Sequence, residues 1–300
     1  MIKSKVGFII LAVLSMAVAA PGQVFKLTPE QLIQYTGGNP FGRYPDGRPK
    51  VPDAILERVK DMSMEEVLGV EEMGFPSQYV GDLKIVNPQK KLVGRAVTLL
   101  LMPLRPEVAS VESTGRTDRW PDRPDTITHQ KALDLLRKDD VIVVDAHNVV
   151  GGVVGDNLAT YVNDVGAGFV IDGMIRDLDG IREIGMTGYY RTAGPPSLTN
   201  CMIAGINIPV SIGNVTVLPG DVVLGDAEGV YFIPPSQVKR LVDEADEVHV
   251  HDEWTKMKFG QGGYKSTDIY WRPHDPALIK EYEEYLKKHL DELHQRRGEQ

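Results

Sequence analysis

The sequence predicts an α/β fold. Three observations carry that reading. Apolar β-branched runs alternate with stretches of helical period through the first two thirds of the chain, short strand-like runs then cluster between Ile208 and Pro234, and two helical stretches follow. Hydrophobic residues make up 42% and charged residues 25% of the 300 positions, which suits a globular chain with a sizeable core.

The first element is not part of that fold. "MIKSKVGFIILAVLSMAVAAPGQ" has Lys3 and Lys5, an apolar run from Val6 to Leu14, and small residues at Ala17 and Ala19. That order reads as a secretory signal peptide over residues 1–19, so the protein is expected to be exported, periplasmic or secreted. An uncleaved anchor is the alternative. The run is short against the roughly 20 residues a spanning helix needs. No later stretch approaches that length, so no stable membrane span is expected after processing. Residues 20–52 read as an extended lead-in, with "YTGGNPFGRYPDGRPKVP" supplying turns.

"DAILERVKDMSMEEVLGVEEMG" has helical period and breaks near Met62; Asp53 and Ser63 are candidate N-caps, the latter with Glu66 three residues on. "LVGRAVTLLLMP" is a strand. The stretch from Arg105 to Asp125 is rich in Pro, Asp and Arg without a period, so it reads as a long loop. "TITHQKALDLLRKDD" reads as a helix with Ile127, Ala132, Leu135 and Leu136 on one side. "VIVVDA" is a buried strand, "GDNLATYVNDVG" a short helix and "AGFVIDG" another strand. "IPVSIGNVTVLPGDVVLGD" and "GVYFIP" hold further strands, and a helix runs from about Ser236 to His249. The main domain is thus set at residues 53–248. Residues 249–300 form a linker and an amphipathic helix, with Ile279, Tyr282, Leu286, Leu290 and Leu293 in one stripe that is expected to dock on the core or on a neighbouring subunit.

A net charge of -9 argues against a nucleic-acid partner, which needs a basic face. Cys201 is the only cysteine, so no internal disulfide is expected and a packed role outweighs a nucleophilic one. Gly151, Gly152 and Gly155 follow a strand and precede a helix, but they do not make a dinucleotide or P-loop fingerprint. The turn Gly155-Asp156-Asn157-Leu158 can still present backbone amides to a carboxylate, or Asp156 can simply cap the helix. In "GFVIDGMIRDLDGI" an apolar strand ends in Asp172, Arg176, Asp177 and Asp179. Arg176 can grip a carboxylate with two hydrogen bonds, and Asp177 can hold a hard divalent ion. Alternatively, Arg176 pairs with Asp172 or Asp179 and only steadies the turn. His249 and His251 form an H-x-H pair, read as solvated surface past a helix rather than a zinc site.

These motifs together are familiar. "GDNLAT", "GAGFVIDGMIRDLDGI" and "IPVSIGNVTVLPGDVVLGDAEGVYFIP", with "GRAVT" upstream, resemble the RraA-like family over roughly Val51 to Val248. That family holds 4-hydroxy-4-methyl-2-oxoglutarate aldolases, which also decarboxylate oxaloacetate, and regulators of ribonuclease activity A; an older label is demethylmenaquinone methyltransferase. The resemblance implies a swivelling β/β/α domain, a homotrimer or higher homo-oligomer with sites between subunits, and a small 2-oxo acid substrate. It implies Asp177 as ligand of a divalent metal cation (Mg²⁺ or Mn²⁺) and Arg176 as the group that holds the pyruvate carboxylate and its enolate. It further implies Gly155, Asp156, Asn157 and Leu158 as the substrate-binding turn, with Asp156 positioning a metal-bound water as the acid/base group. The chain departs from the aldolase pattern in two places. Nineteen residues, not twenty, separate Asp156 from Arg176, and Asn214 stands where the family usually has Gly. Arg116, Arg119 and Arg123 either border the site or decorate a surface loop. The expected activity is cleavage of a 2-oxo acid by a metal-dependent lyase. The rival from another class is a noncatalytic RraA-like binding or regulatory protein. A methyltransferase fits worst, because no methyl-donor loop is present.

Overall fold

The structure, a computed structural model, describes residues 25–67, 74–105, 129–270 and 272–297. The expected signal peptide, Ile127 and the loop arginines Arg116, Arg119 and Arg123 lie outside the described residues.

The lead-in holds a helix that sequence reading missed. This is α1 (Pro29–Tyr35), opened by Thr28 and Gln31 in a reciprocal capping box. Then come α2 (Asp53–Asp61) and α3 (Met64–Val67), split at Met62 as the pattern requires. Ser63 and Glu66 form the expected box, with the Ser63 amide donating to Glu66 Oε2 at 2.6 Å. Asp53 is not a cap: Pro52 holds that position, and the Asp53 carboxylate pairs with Arg95 instead. Two short strands, β1 (Tyr79–Val80) and β2 (Lys84–Ile85), lead to β3 (Leu92–Pro103), whose bounds coincide with the apolar run. The helix expected in "TITHQKALDLLRKDD" reduces, among the described residues, to α4 (Gln130–Leu133). Leu135 is exposed rather than on the buried side, while Ala132 and Leu136 are buried.

Next follow β4 (Asp140–Asp145), α5 (Asp156–Val165), β5 (Gly168–Ile175), α6 (Leu178–Ile184) and β6 (Gly188–Ala193). After them come β7 (Cys201–Ile206), β8 (Val210–Ile212), β9 (Val215–Val217), β10 (Val222–Gly225) and β11 (Val230–Ile233). The chain closes with α7 (Pro235–Gln261), α8 (Ser266–Ile269) and α9 (Pro276–Arg297).

One sheet has the order β1-β11-β10-β3-β4-β5-β6-β2, with β7 also on β3. β3, β4, β5 and β6 run parallel to one another. The long β3 serves two antiparallel partners along its other edge: β10 against Leu92 to Arg95, and β7 against Leu99 to Pro103. A parallel block must be covered on both faces, so its strands read as unbroken apolar runs rather than alternating ones. In β4, Ile142 and Val144 join the core under α4, α5 and α6, while Val141 and Val143 join the core under the β8–β9 hairpin. A third core packs α2, α3 and α7 over β10 and β11. The result is a mixed α/β fold with helices on one side of the central strands and a small second sheet on the other.

One charged pair is sealed inside. Arg48 Nη2 meets Asp140 Oδ2 at 2.8 Å, with Arg48 1% and Asp140 0% exposed. Tyr44 stacks over that guanidinium at 4.7 Å. Losing either partner strands a buried charge, at a cost of about 3–5 kcal/mol. Cys201 is fully buried, and burial pushes its thiol up to about 11, so it packs and is a poor nucleophile.

The last helices correct the sequence reading again. α7 runs to Gln261, not to His249, so His249 and His251 lie within a helix and not in a polar linker. His249 is half-buried and pairs with Glu66 Oε1 at 2.7 Å, tying α7 to α3. His251 meets the Tyr282 ring edge-on at 5.3 Å. Among the described residues, no group of three His, Cys, Asp or Glu side chains is placed to hold a metal ion. α9 docks along α7: Tyr282 packs on Trp254 at 5.1 Å, and Glu281 meets Lys258 at 2.5 Å. No helix among the described residues is long and apolar enough to cross a membrane.

The His249–Glu66 pair predicts a pH signature. The Glu66 carboxylate raises the His249 pKa above its ordinary value. The pair's contribution is therefore complete below the unfolded value of about 6.5 and is lost as pH rises through the raised folded value. In thermal melts, His249→Gln should lower Tm most near pH 6, with the gap shrinking as pH rises. A gap that widens with pH would show that the pair is not the source.

Candidate functional site

The charged end of β5 is built by backbone bonds from its neighbours. The strand cannot simply stop, because its last carbonyls and amides need partners. The segment after β4 supplies them: the Val153 amide donates to Met174 O at 2.9 Å and the Arg176 amide to Val154 O at 3.0 Å. On the other side, the Gly194 amide donates to Ile175 O at 3.0 Å, and the Gly152 amide to Pro196 O at 2.9 Å. Three stretches far apart in sequence thereby converge on Arg176.

Asp177 follows with φ 56° and ψ 40°, in the left-handed region that Asp tolerates better than most residues. It stands at the N-cap of α6, yet its side chain makes no capping bond. Its Oδ2 accepts from Arg176 Nε at 3.1 Å, and both side chains are little more than one third exposed. Arg176 Nη1 donates to Ser197 Oγ at 2.7 Å. Arg176 therefore pairs with neither Asp172 nor Asp179; its partners among the described residues are Asp177 and Ser197. Asp172 is taken by Arg191 and by the Gly213 amide, and Asp179 lies 3.5 Å from Arg182.

The turn before α5 lies directly on this pair. Gly155 is the N-cap, so Asp156 is the first helical residue rather than the cap. A Cβ on Gly155 would lie 2.6 Å from Asp177 Oδ2, and one on Gly152 would lie 2.7 Å from Arg176 Cγ. Only glycines let the two segments close to this distance. The Asp156 side chain rests on Gly180 of α6, whose added Cβ would meet Asp156 Oδ2 at 3.1 Å. Asp156 Oδ1 accepts from the Asn157 amide at 2.8 Å. Of the amides expected to face a ligand, Asn157's is thus engaged by Asp156. Leu158 packs its side chain on the core. Only Gly166 and Ala167 connect α5 to β5, and a Cβ on Gly166 would lie 2.7 Å from Asp140 O.

Gly155, Asp156, Arg176 and Asp177 are therefore brought together, and Ser197 joins them. Sequence reading missed Ser197, which lies 21 residues beyond Arg176 in "GPPSLTN" and belongs to no motif. The accessible Asp177 carboxylate, with partly exposed Asp156 nearby, suits a hard ion that keeps most of its waters, such as Mg²⁺, and not a closed zinc cage.

A second polar cleft, of about 780 Å³, opens at the same end of the parallel strands on the opposite face. Asp145, Asp172 and Arg191 occupy neighbouring strands there, and Asn214 lines it. Burial, and secondarily the charge of Asp172, push the Asp145 carboxyl above its ordinary range. The charges here are tied to structure. Arg191 joins Asp172 and Asp82, and the Ser211 and Gly213 amides donate to Asp145 and Asp172. They fasten the β8–β9 hairpin to the sheet, and Asn214 lines the cleft beside them.

Comparison with known proteins gives a consistent picture. The family model described as "RraA-like: Aldolase/RraA" matches residues 51–232. A protein of Halalkalibacterium halodurans named for 4-hydroxy-4-methyl-2-oxoglutarate aldolase is 33% identical over 131 residues, 43% of this chain and 62% of its own length. The 4-hydroxy-4-methyl-2-oxoglutarate aldolase of Thermus thermophilus is 31% identical over 90 residues, 29% of this chain and 55% of its own. The chain thus spans about three fifths or less of these two relatives. Among solved structures, Streptomyces coelicolor RraAS2, described as an unusual member of the RNase ES inhibitor RraA family, superposes with a TM-score of 0.59. It is 25% identical, and the match covers 70% of this chain and all of that one.

The two glycines predict contrasting variants. Gly152→Ala forces a methyl between backbone segments, 3.0 Å from the Arg176 nitrogen, and should cost about 1–3 kcal/mol in urea denaturation. Gly155→Ala meets mainly the movable Asp177 carboxylate and should cost under about 1 kcal/mol. Equal losses would mean that Asp177 is as rigid as the backbone.

Proposed function

The chain belongs to the RraA-like family, and from that premise we propose that it is a divalent-metal-dependent lyase that cleaves a small 2-oxo acid through a pyruvate enolate. The substrate class is that of 4-hydroxy-4-methyl-2-oxoglutarate aldolase and oxaloacetate decarboxylase. The observation that carries this reading is the closure of Gly155 onto Arg176 and Asp177, which brings an anion grip, an accessible carboxylate and, on the next residue of the turn, a second acid onto neighbouring segments. Relatives bearing the aldolase name support it.

Both reactions break a carbon–carbon bond beta to a carbonyl and need somewhere to put the electron pair. Asp177 would hold the ion, and a divalent cation there supplies Lewis-acid polarisation of the 2-oxo group. Arg176 binds the substrate carboxylate and keeps its charge beside the enolate as that forms. The opening amides of α5, at Asp156 and Leu158, add dipoles pointing the same way. Asp156 serves as the acid/base group, taking the proton from the C4 hydroxyl through a water in the aldol cleavage and returning one to the enolate carbon. Exclusion of bulk water falls to the walls at Gly152 and Ser197. The same reading takes the protein as exported and as a homotrimer or higher homo-oligomer, in which a neighbour covers the third of Arg176 and Asp177 left exposed.

A noncatalytic binding protein is the second reading, favoured by the match to the whole length of RraAS2. One assay separates the two: pyruvate formation from oxaloacetate and from 4-hydroxy-4-methyl-2-oxoglutarate, using protein lacking residues 1–19 and a metal-only blank. Turnover should need Mg²⁺ or Mn²⁺, stop with EDTA, and fall at least about 100-fold in Asp177→Ala and in Arg176→Lys. Absence of turnover above the blank, with folded wild-type protein, would sink the lyase reading. Asp156→Asn should lower kcat by about 100-fold or more while leaving KM within a few-fold, and an unchanged kcat would remove Asp156 from proton transfer.

A further inference from the structure

We propose that Ser197 is a positioning residue that fixes the Arg176 guanidinium for its substrate carboxylate, and does so most when Asp177 is engaged by a cation. The proposal rests on the lyase reading of the same site.

The argument begins with what each edge of Arg176 touches. Nε donates to Asp177 Oδ2 at 3.1 Å, and Nη1 donates to Ser197 Oγ at 2.7 Å. Nη2 has no partner among the described residues. A guanidinium can take a carboxylate side-on, through Nε and Nη2, or end-on, through Nη1 and Nη2. Asp177 blocks the side-on edge. What remains for a ligand is Nη2, which turns one proton to each edge, and the second proton of Nη1.

The two anchors are not equivalent. Asp177 is the proposed cation ligand, and a divalent ion competes with Nε for the same carboxylate. Once that bond weakens, Ser197 is the anchor left among the described residues. A neutral hydroxyl suits the task, because it orients the guanidinium without neutralising the charge that the substrate needs.

The mount for this hydroxyl is stiff. Pro195 and Pro196 precede Ser197 and restrict the backbone. Pro196 O accepts from the Gly152 amide at 2.9 Å. Gly151 adopts φ 104°, and a Cβ there would lie 2.2 Å from Ser197 O. The backbone of Ser197 is therefore pressed against the same glycine segment that packs on Arg176. The loop fixes Oγ while leaving the residue exposed to the site.

The test compares wild type, Ser197→Ala and Ser197→Thr in protein lacking residues 1–19. The Arg176 Nε–H resonance, assigned by its disappearance in Arg176→Lys, reports the guanidinium without any turnover. In wild type it should stay sharp on addition of Mg²⁺. In Ser197→Ala it should shift and broaden when Mg²⁺ is added, and Ser197→Thr should restore it. In the pyruvate assay Ser197→Ala should raise KM about tenfold with kcat changed less than about threefold, since one hydrogen bond to a charged group is removed. Ser197→Thr should return KM to within about twofold of wild type, and melting temperatures should match. An Arg176 resonance that behaves identically in wild type and Ser197→Ala overturns the proposal, as does an unchanged KM. A wild type inert toward both 2-oxo acids, with the resonance difference intact, would instead locate the failure in the lyase reading and remove the substrate for which Ser197 is said to position Arg176.

Discussion

The short ladder of backbone hydrogen bonds around the end of β5 is the constraint on which the candidate site depends. Val153 to Met174, Arg176 to Val154, Gly152 to Pro196 and Gly194 to Ile175 together hold three chain segments within one strand spacing. Two of those segments are irregular, so these bonds, with the burial of Val153 and Val154 in the core, set their path. The glycines at 151, 152 and 155 follow from the ladder, since side chains there would collide with Ser197, Arg176 and Asp177. The left-handed turn at Asp177 follows as well, because the chain must leave the sheet at once to begin α6.

The ladder is backed by strands that are fully buried beneath it. β4 and β5 are buried on both faces, with Val141, Ile142, Val143, Phe169, Val170 and Ile171 all 0% exposed. Interiors packed at that density have two-sided contacts that resist displacement. The buried Arg48–Asp140 pair adds a directional bond at the start of β4, the end opposite the site. Rigidity is thus concentrated in the sheet, while reactive groups sit just past its carboxyl edge, where backbone amides and side chains can face solvent.

Charge is divided by face at that edge. Toward the β8–β9 hairpin, Asp82, Asp145, Asp172 and Arg191 satisfy one another and nearby amides, so a large cleft is lined by groups already engaged in holding the fold. Toward α5 and α6, among the described residues, Asp177 makes no cap, the Asp156 side chain bonds only the adjacent amide, and Arg176 Nη2 has no partner. A smaller set of groups, incompletely satisfied, is better placed for chemistry than a larger set that is saturated.

The sequence by itself determined the α/β class, the limits of β3, the break at Met62, the Ser63–Glu66 box and the pairing of Asp156 with Arg176–Asp177 as one motif set. Each is a local or periodic signal: a run of apolar residues, a cap three residues from its partner, a resemblance carried by contiguous motifs. It failed where the deciding partner was distant. Asp53 was read as a cap because Arg95 was not in view, and His249 as surface because Glu66 lies on another helix. β6, mixed in polarity, and β7, a short apolar run interrupted by Gly205, become strands only beside β5 and β3. Likewise, residue spacing could not choose between a site and a steadied turn for Arg176. Tertiary structure places Asp172 on Arg191 and Ser197 on Arg176, pairings 19 and 21 residues apart that depend on strands crossing in space and leave no periodic trace in the chain.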